Sequence, residues 1–142
     1  MSINDSFDIS VSAIDANRIK MEIIASNLAN IDSTRSVDGG PYRRKIPILA
    51  EKPLSFAEEL SKAEARRGGG VEVVAIVEDQ APFQKVYNPG HPDADEQGFV
   101  ALPNVSMSKE MVDLVYTSKL YEANITAFNV TKKMAQDTLQ IP

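Results

Sequence analysis

Apolar positions near both ends of the chain recur in steps of three and four. Towards the N-terminus Phe7, Ile14, Met21, Ile24, Leu28 and Ile31 share one stripe, which Val11 and Ala25 widen. This is the period of an α-helix with one apolar face, and Ser2 or Asn4 is placed to cap it. Towards the C-terminus Met111, Leu114, Tyr121, Ile125, Phe128, Ala135 and Leu139 keep the same alternation, interrupted at Ser118 and Lys132. An alternation sustained over several heptads predicts a coiled-coil-like seam rather than the surface helix of a globular domain.

Between these ends the pattern changes. All seven glycines lie from Gly39 to Gly98, and seven of the eight prolines from Pro41 to Pro103, so helix breakers are confined to the middle. There "PYRRKIPIL" and "VEVVAIVED" have strand composition, and "FQKVY" and "GFVAL" are shorter candidates. The intervening "SFAEELSKAEARRGGG" reads as a short helix or a mobile excursion ending in a glycine hinge. The predicted fold class is α+β: two long terminal helices, paired as an antiparallel coiled-coil-like unit, and a small β-rich middle that returns the chain. The predicted divisions are residues 1–36 (N-terminal helix), 37–105 (β-containing middle with loops) and 106–142 (C-terminal helix). Two such helices alone bury too little apolar surface to offset the entropy of ordering them. The pattern therefore points to assembly.

Composition narrows the classes. A net charge of −5 over 142 residues argues against a nucleic-acid partner, which calls for a basic face. Absence of cysteine removes disulfides, thiolate metal sites and thiol nucleophiles. The opening "MSINDSFDIS" lacks a basic segment followed by an apolar one, so no cleavable signal is expected. The longest apolar run, "VVAIV", is too short to enter a bilayer as a span.

Candidate chemistry concentrates in "KVYNPGHPDADEQGFVALPNV", which holds the single histidine, His91, beside Asp93, Asp95 and Glu96. A metal-dependent hydrolase centred on His91 is one reading, but no second histidine supplies the usual ligand set. The "NPGHP" string fixes a tight turn whatever else it does. The "RRGGGVE" stretch lacks the Lys-Ser/Thr that a phosphate loop needs after its last glycine. The cations of "YRRKI" suit a solvated strand edge or an acidic partner subunit. Sequons at Asn104, Asn124 and Asn129 read as chance, two of them lying inside a predicted helix.

More telling are "SNLANIDST" and "LYEANITAFN", where Asn27, Asn30, Asn124 and Asn129 sit near apolar seams. Asparagine is a poor helix former, and at a seam it can fix register at a cost in stability. A non-polymerising coiled-coil adaptor would share this pattern.

At these residues the chain resembles a known family. "ASNLANIDSTRS" and "EMVDLVYTSKLYEANITAFNVTKKM" are similar to the N- and C-terminal signatures of the bacterial flagellar axial proteins, and "VYNPGHPDADEQGFVALPNV" resembles the signature of their proximal-rod branch. Lys119 and Leu120 depart from the arginine and small residue that relatives often carry there. The resemblance implies a structural subunit of the basal-body rod, a shaft that carries torque from motor to hook. It implies export through the flagellar type III apparatus and a periplasmic position. Expected partners are copies of itself and other rod proteins, with no nucleic acid, membrane insertion, cofactor, metal or catalytic residue. The expected assembly interface comprises Asn27, Leu28 and Asn30, with Met111, Leu114, Tyr121, Asn124, Ile125 and Phe128.

Overall fold

A computed structural model describes residues 3–36, 39–52 and 69–140. In chain order these form α1 (Ile3–Ala29), β1 (Lys45–Glu51), β2 (Val71–Glu78), β3 (Gln84–Tyr87), β4 (Phe99–Leu102) and α2 (Met107–Leu139). Both terminal helices and the small β middle are thus present, an α+β arrangement. Asn4 lies inside α1 and so does not cap it, Ser2 lies outside the described residues, and so does most of the "SFAEELSKAEARRGGG" segment.

The helices run antiparallel against each other. Phe7 meets Phe128 edge-on at 5.1 Å, the Lys20 ammonium lies 5.9 Å from the Tyr116 ring centre, and Asn27 bonds Glu110 at 3.1 Å. The contacts therefore ascend along α1 as they descend along α2.

The packed line of α2 differs from the expected stripe. Glu110, Leu114, Thr117, Tyr121, Asn124, Phe128, Thr131 and Ala135 are buried or half-buried, in an unbroken alternation of fours and threes. Met111 and Leu139 are instead exposed. The apolar pattern takes Met111 and Ile125 and breaks at Ser118 and Lys132, whereas the packed line at those four turns passes through Glu110, Asn124, Thr117 and Thr131. The apparent interruptions at Ser118 and Lys132 vanish once the line passes through their neighbours Thr117 and Thr131.

The middle forms two separate antiparallel pairs, β1 with β2 and β3 with β4. In the first, Lys45 faces Glu78 and Glu51 faces Val71, with a bulge at Ile48/Leu49 that leaves Val74 unpaired. Strand β1 starts at Lys45, so Tyr42–Arg44 of the predicted strand precede it. α1 packs on β1 and β2 as well as on α2. Gly70 makes the approach of β2 possible: its φ is +85°, and a Cβ there would lie 2.4 Å from Ser12 Oγ. That hydroxyl accepts the Val71 N–H at 3.1 Å, tying β2 to α1.

Ala16, Ile23 and Ile24 of α1 are buried, as are Tyr42, Val100 and Val105. The core is therefore centred where the C-terminal half of α1 meets the middle and the start of α2.

Candidate functional site

Two deeply buried polar residues, Asn27 and Glu110, meet at that junction. Asn27, in the last turn of α1, is 1% exposed, and Glu110, in the first turn of α2, is fully buried. The Asn27 amide donates to the Lys45 carbonyl (2.9 Å) and to Glu110 Oε2 (3.1 Å). Its oxygen accepts the Tyr42 hydroxyl (2.9 Å) and the Lys45 N–H (2.9 Å). Two donor hydrogens and two lone pairs are all that an asparagine side chain offers. Every one is used.

Glu110 is held from a second side, its Oε1 accepting Arg44 Nε at 2.5 Å. The remaining Arg44 nitrogens lie 3.7 Å from the carboxylates of Asp79 and Asp113. Arg44 also donates its N–H to Asn104 Oδ1 (2.8 Å), while Asn104 Nδ2 donates to the carbonyls of Asp79 (2.9 Å) and Ala81 (3.2 Å). Arg43 stacks its guanidinium over Phe83 at 4.4 Å. The cations of "YRRKI" thus find their acidic and aromatic partners within the chain. A carboxylate in the first turn of a helix also faces the positive end of its dipole. One polar network joins α1, the lead-in to β1, the exit of β2 and the start of α2. Its satisfied groups lock the relative register of these elements.

A second cluster fixes the connector between β3 and β4. The Asp93 carboxylate accepts Thr34 Oγ1 (2.8 Å) and Arg35 Nε (2.7 Å), and Arg35 Nη2 also contacts it. Arg35 foremost, then Thr34, holds the Asp93 carboxyl below the usual carboxylate range. His91 Nδ1 accepts the Asp93 N–H at 3.1 Å, so the histidine braces the loop through its backbone. Asp95 Oδ1 accepts the N–H groups of Gln97 and Phe99, both at 2.9 Å, in the manner of an Asx turn. Gly98, at φ +80°, presses against Tyr87, whose ring a Cβ would meet at 2.9 Å. Among the described residues no three His, Asp or Glu side chains converge as a metal site would require. The loop's hydrogen bonds serve to clamp the connector to the end of α1.

The expected interface residues divide by position. Asn27 is buried within the network, and Leu28 is half-buried. Asn30 closes the end of α1, donating to the Ser26 carbonyl at 2.8 Å. Leu114, Tyr121, Asn124, Ile125 and Phe128 are half-buried, and Met111 faces outward at 52% exposure. Tyr42, Arg44, Asp93 and Glu110 complete the arrangement but were not among those residues. The sequence offers no local signal for Glu110, because the apolar stripe of α2 runs through its neighbour Met111.

Comparison with known proteins bears on both ends. Residues 7–35 match the family model described as "Flagella basal body rod protein", and residues 96–141 match "Flagellar basal body rod FlgEFG protein C-terminal". The chain is 45% identical to the flagellar basal-body rod protein FlgC of Bacillus subtilis (strain 168), with 99% of each chain aligned. It is 39% identical to FlgC of Salmonella typhimurium, over 99% of this chain and 98% of that one. FlgC of Aquifex aeolicus is 37% identical, over 99% and 97%. The chain belongs to the FlgC family of flagellar basal-body rod proteins. The two rod models contain the two ends of the Asn27–Glu110 bond, one in each matched stretch. Tyr42 and Arg44, which complete that network, lie between the matched stretches. The FlgC relatives, aligned over nearly their whole length, take in this intervening part as well.

Proposed function

We propose that this chain is a structural subunit of the flagellar basal-body rod, in its proximal part, assembling through its terminal helices with copies of itself and with other rod proteins. The observation that carries this reading is its similarity to FlgC along nearly the full length of both chains. The polar network supports it, since a subunit of a torque-bearing shaft needs its helices held in one register. Exposed apolar residues support it as well. Val112, Val115, Tyr116, Val130 and Met134 all face outward from α2, and surface like this calls for a partner.

In this reading α1 and α2, within residues 1–36 and 106–142, form an antiparallel coiled-coil-like assembly core, and residues 37–105 brace it. Leu28, Leu114, Tyr121, Asn124, Ile125 and Phe128 set the helix pairing, Asn27 pins its register, Asn30 ends α1, and Met111 is offered to neighbours. Among the described residues no helix is long and apolar enough to cross a membrane, which suits a subunit carried through the type III apparatus into the periplasmic rod. The role is mechanical, with no reaction assigned to any residue.

Deletion and complementation in the host test the proposal. A strain lacking the chain is expected to be non-motile and to regain swimming when the chain is supplied. Normal swimming by the deletion strain would overturn it.

A further inference from the structure

Beyond the packed line between them, the two helices carry complementary exposed stripes, of which Tyr116 also reaches Lys20 across the pair. The exposed positions of α1 from Asp8 to Ala29, Ser26 apart, step by threes and fours along one side. That side carries Asp8, Asp15 and Glu22 at seven-residue intervals. Its cation, Arg18, is already engaged with Asp15 and Glu22 at 4.0 and 3.3 Å. On α2 an exposed stripe of the same period runs from Val112 through Tyr116, Lys119, Ala123, Thr126 and Val130 to Lys133. Its charged members are both basic. Lys119 bonds Glu122 at 2.8 Å, an exposed pair on the helix surface whose hold is weak.

The spacings match. Asp8 and Glu22 are fourteen residues apart, as are Lys119 and Lys133, a distance of about 21 Å along either helix. One antiparallel register brings Asp8 to Lys133 and Glu22 to Lys119. The same register sets Val11 against Val130, and the small Ala25 and Ala29 against the larger Tyr116 and Val112. Within one chain both stripes remain exposed. A second copy can supply the missing face.

We propose that the outer stripe of α1 docks antiparallel on the outer stripe of α2 of a second copy of this chain, in the register that joins Asp8 to Lys133 and Glu22 to Lys119. The contact rests on the rod-subunit reading and deepens it. It is heterologous, because one copy presents α1 and the other α2, and each keeps one face open for a further neighbour. A contact of that type builds an open helical series rather than a closed dimer.

Absence of cysteine makes the register directly testable. Val11 and Val130 are 44% and 53% exposed, so substitution there spares the fold. Val11→Cys and Val130→Cys chains are co-expressed in a host lacking the native gene, and isolated basal bodies are oxidised mildly. A disulfide needs Cα atoms within roughly 7 Å. The expected product is a dimer containing one of each variant, absent with either variant alone and absent when Leu139→Cys replaces Val130→Cys. In a second measurement Glu22→Lys is expected to lower incorporation roughly tenfold, the size of effect that like charges brought together in a contact produce. Adding Lys119→Glu to the same chain is expected to restore it.

A chain retained in basal bodies without the mixed dimer would overturn the register while leaving the rod reading intact. A dimer from one variant alone, or a link to a different protein, would also overturn it. Absence of the unsubstituted chain from basal bodies would overturn both readings.

Discussion

Asn27 saturates its side chain with four hydrogen bonds while almost wholly buried. Replacing it with alanine strands the Tyr42 hydroxyl, the Lys45 N–H and one Glu110 oxygen away from water. A buried polar group left without its partner costs about 1–3 kcal/mol, so Asn27→Ala is expected to lose about 3 kcal/mol or more of folding stability. Urea denaturation of the purified chain measures this as a lower midpoint with an unchanged slope. A loss below about 1 kcal/mol would contradict a network that holds the fold together. Asn27 was legible as a costly residue at a seam, because asparagine in a helix needs a reason. Its partner Glu110 was not, since that residue lies 83 positions from Asn27 and 66 from Arg44, which holds its other oxygen. No local pattern registers a contact over such a separation, and a lone glutamate in a helix ordinarily reads as solvated surface.

At the scale of elements, the period of both helices was plain in the sequence, and so were the strand segments. The exact packed line of α2 was not. Thr117 and Thr131 stand in the seam where an apolar count passes them by, and Met111 is drawn into that count although it faces outward. The sequence alone suits the "YRRKI" cations to a solvated strand edge or an acidic partner subunit; the buried Glu110 draws Arg44 inward instead. The connector's role follows from the Asp93 clamp on Thr34 and Arg35. Because these partners hold the Asp93 carboxyl below its ordinary value of 3.8, its contribution to folding is full above that value and is lost as pH falls through the lower, folded-state value. Asp93→Asn is therefore expected to lower the thermal midpoint near neutral pH. The difference should shrink as pH falls below about 4, where the native carboxyl also becomes neutral. Thermal unfolding of both chains from pH 7 to pH 2 measures it, and a deficit constant across that range would contradict a clamp based on the ionised carboxylate.

For the whole molecule, the distribution of glycine and proline announced two uninterrupted ends around a punctuated middle, and the fold has that form. The terminal signatures likewise pointed to the axial-protein family, to which the FlgC relatives tie nearly the entire chain. What no sequence pattern disclosed is how the middle works: it is tied to the helices by Arg44, Asn104, Ser12 and Asp93 rather than by a large apolar core. A molecule with a small core and large apolar residues exposed along α2 gains much of its rigidity from neighbours, because binding that favours the folded state adds to its stability. All of these roles require that the chain occupy a rod. The most direct measurement is quantitative mass spectrometry of detergent-extracted basal bodies from the host that makes it. The expected result is this chain in fixed ratio to the other rod proteins; its absence from basal bodies, in cells that produce it, would contradict the account.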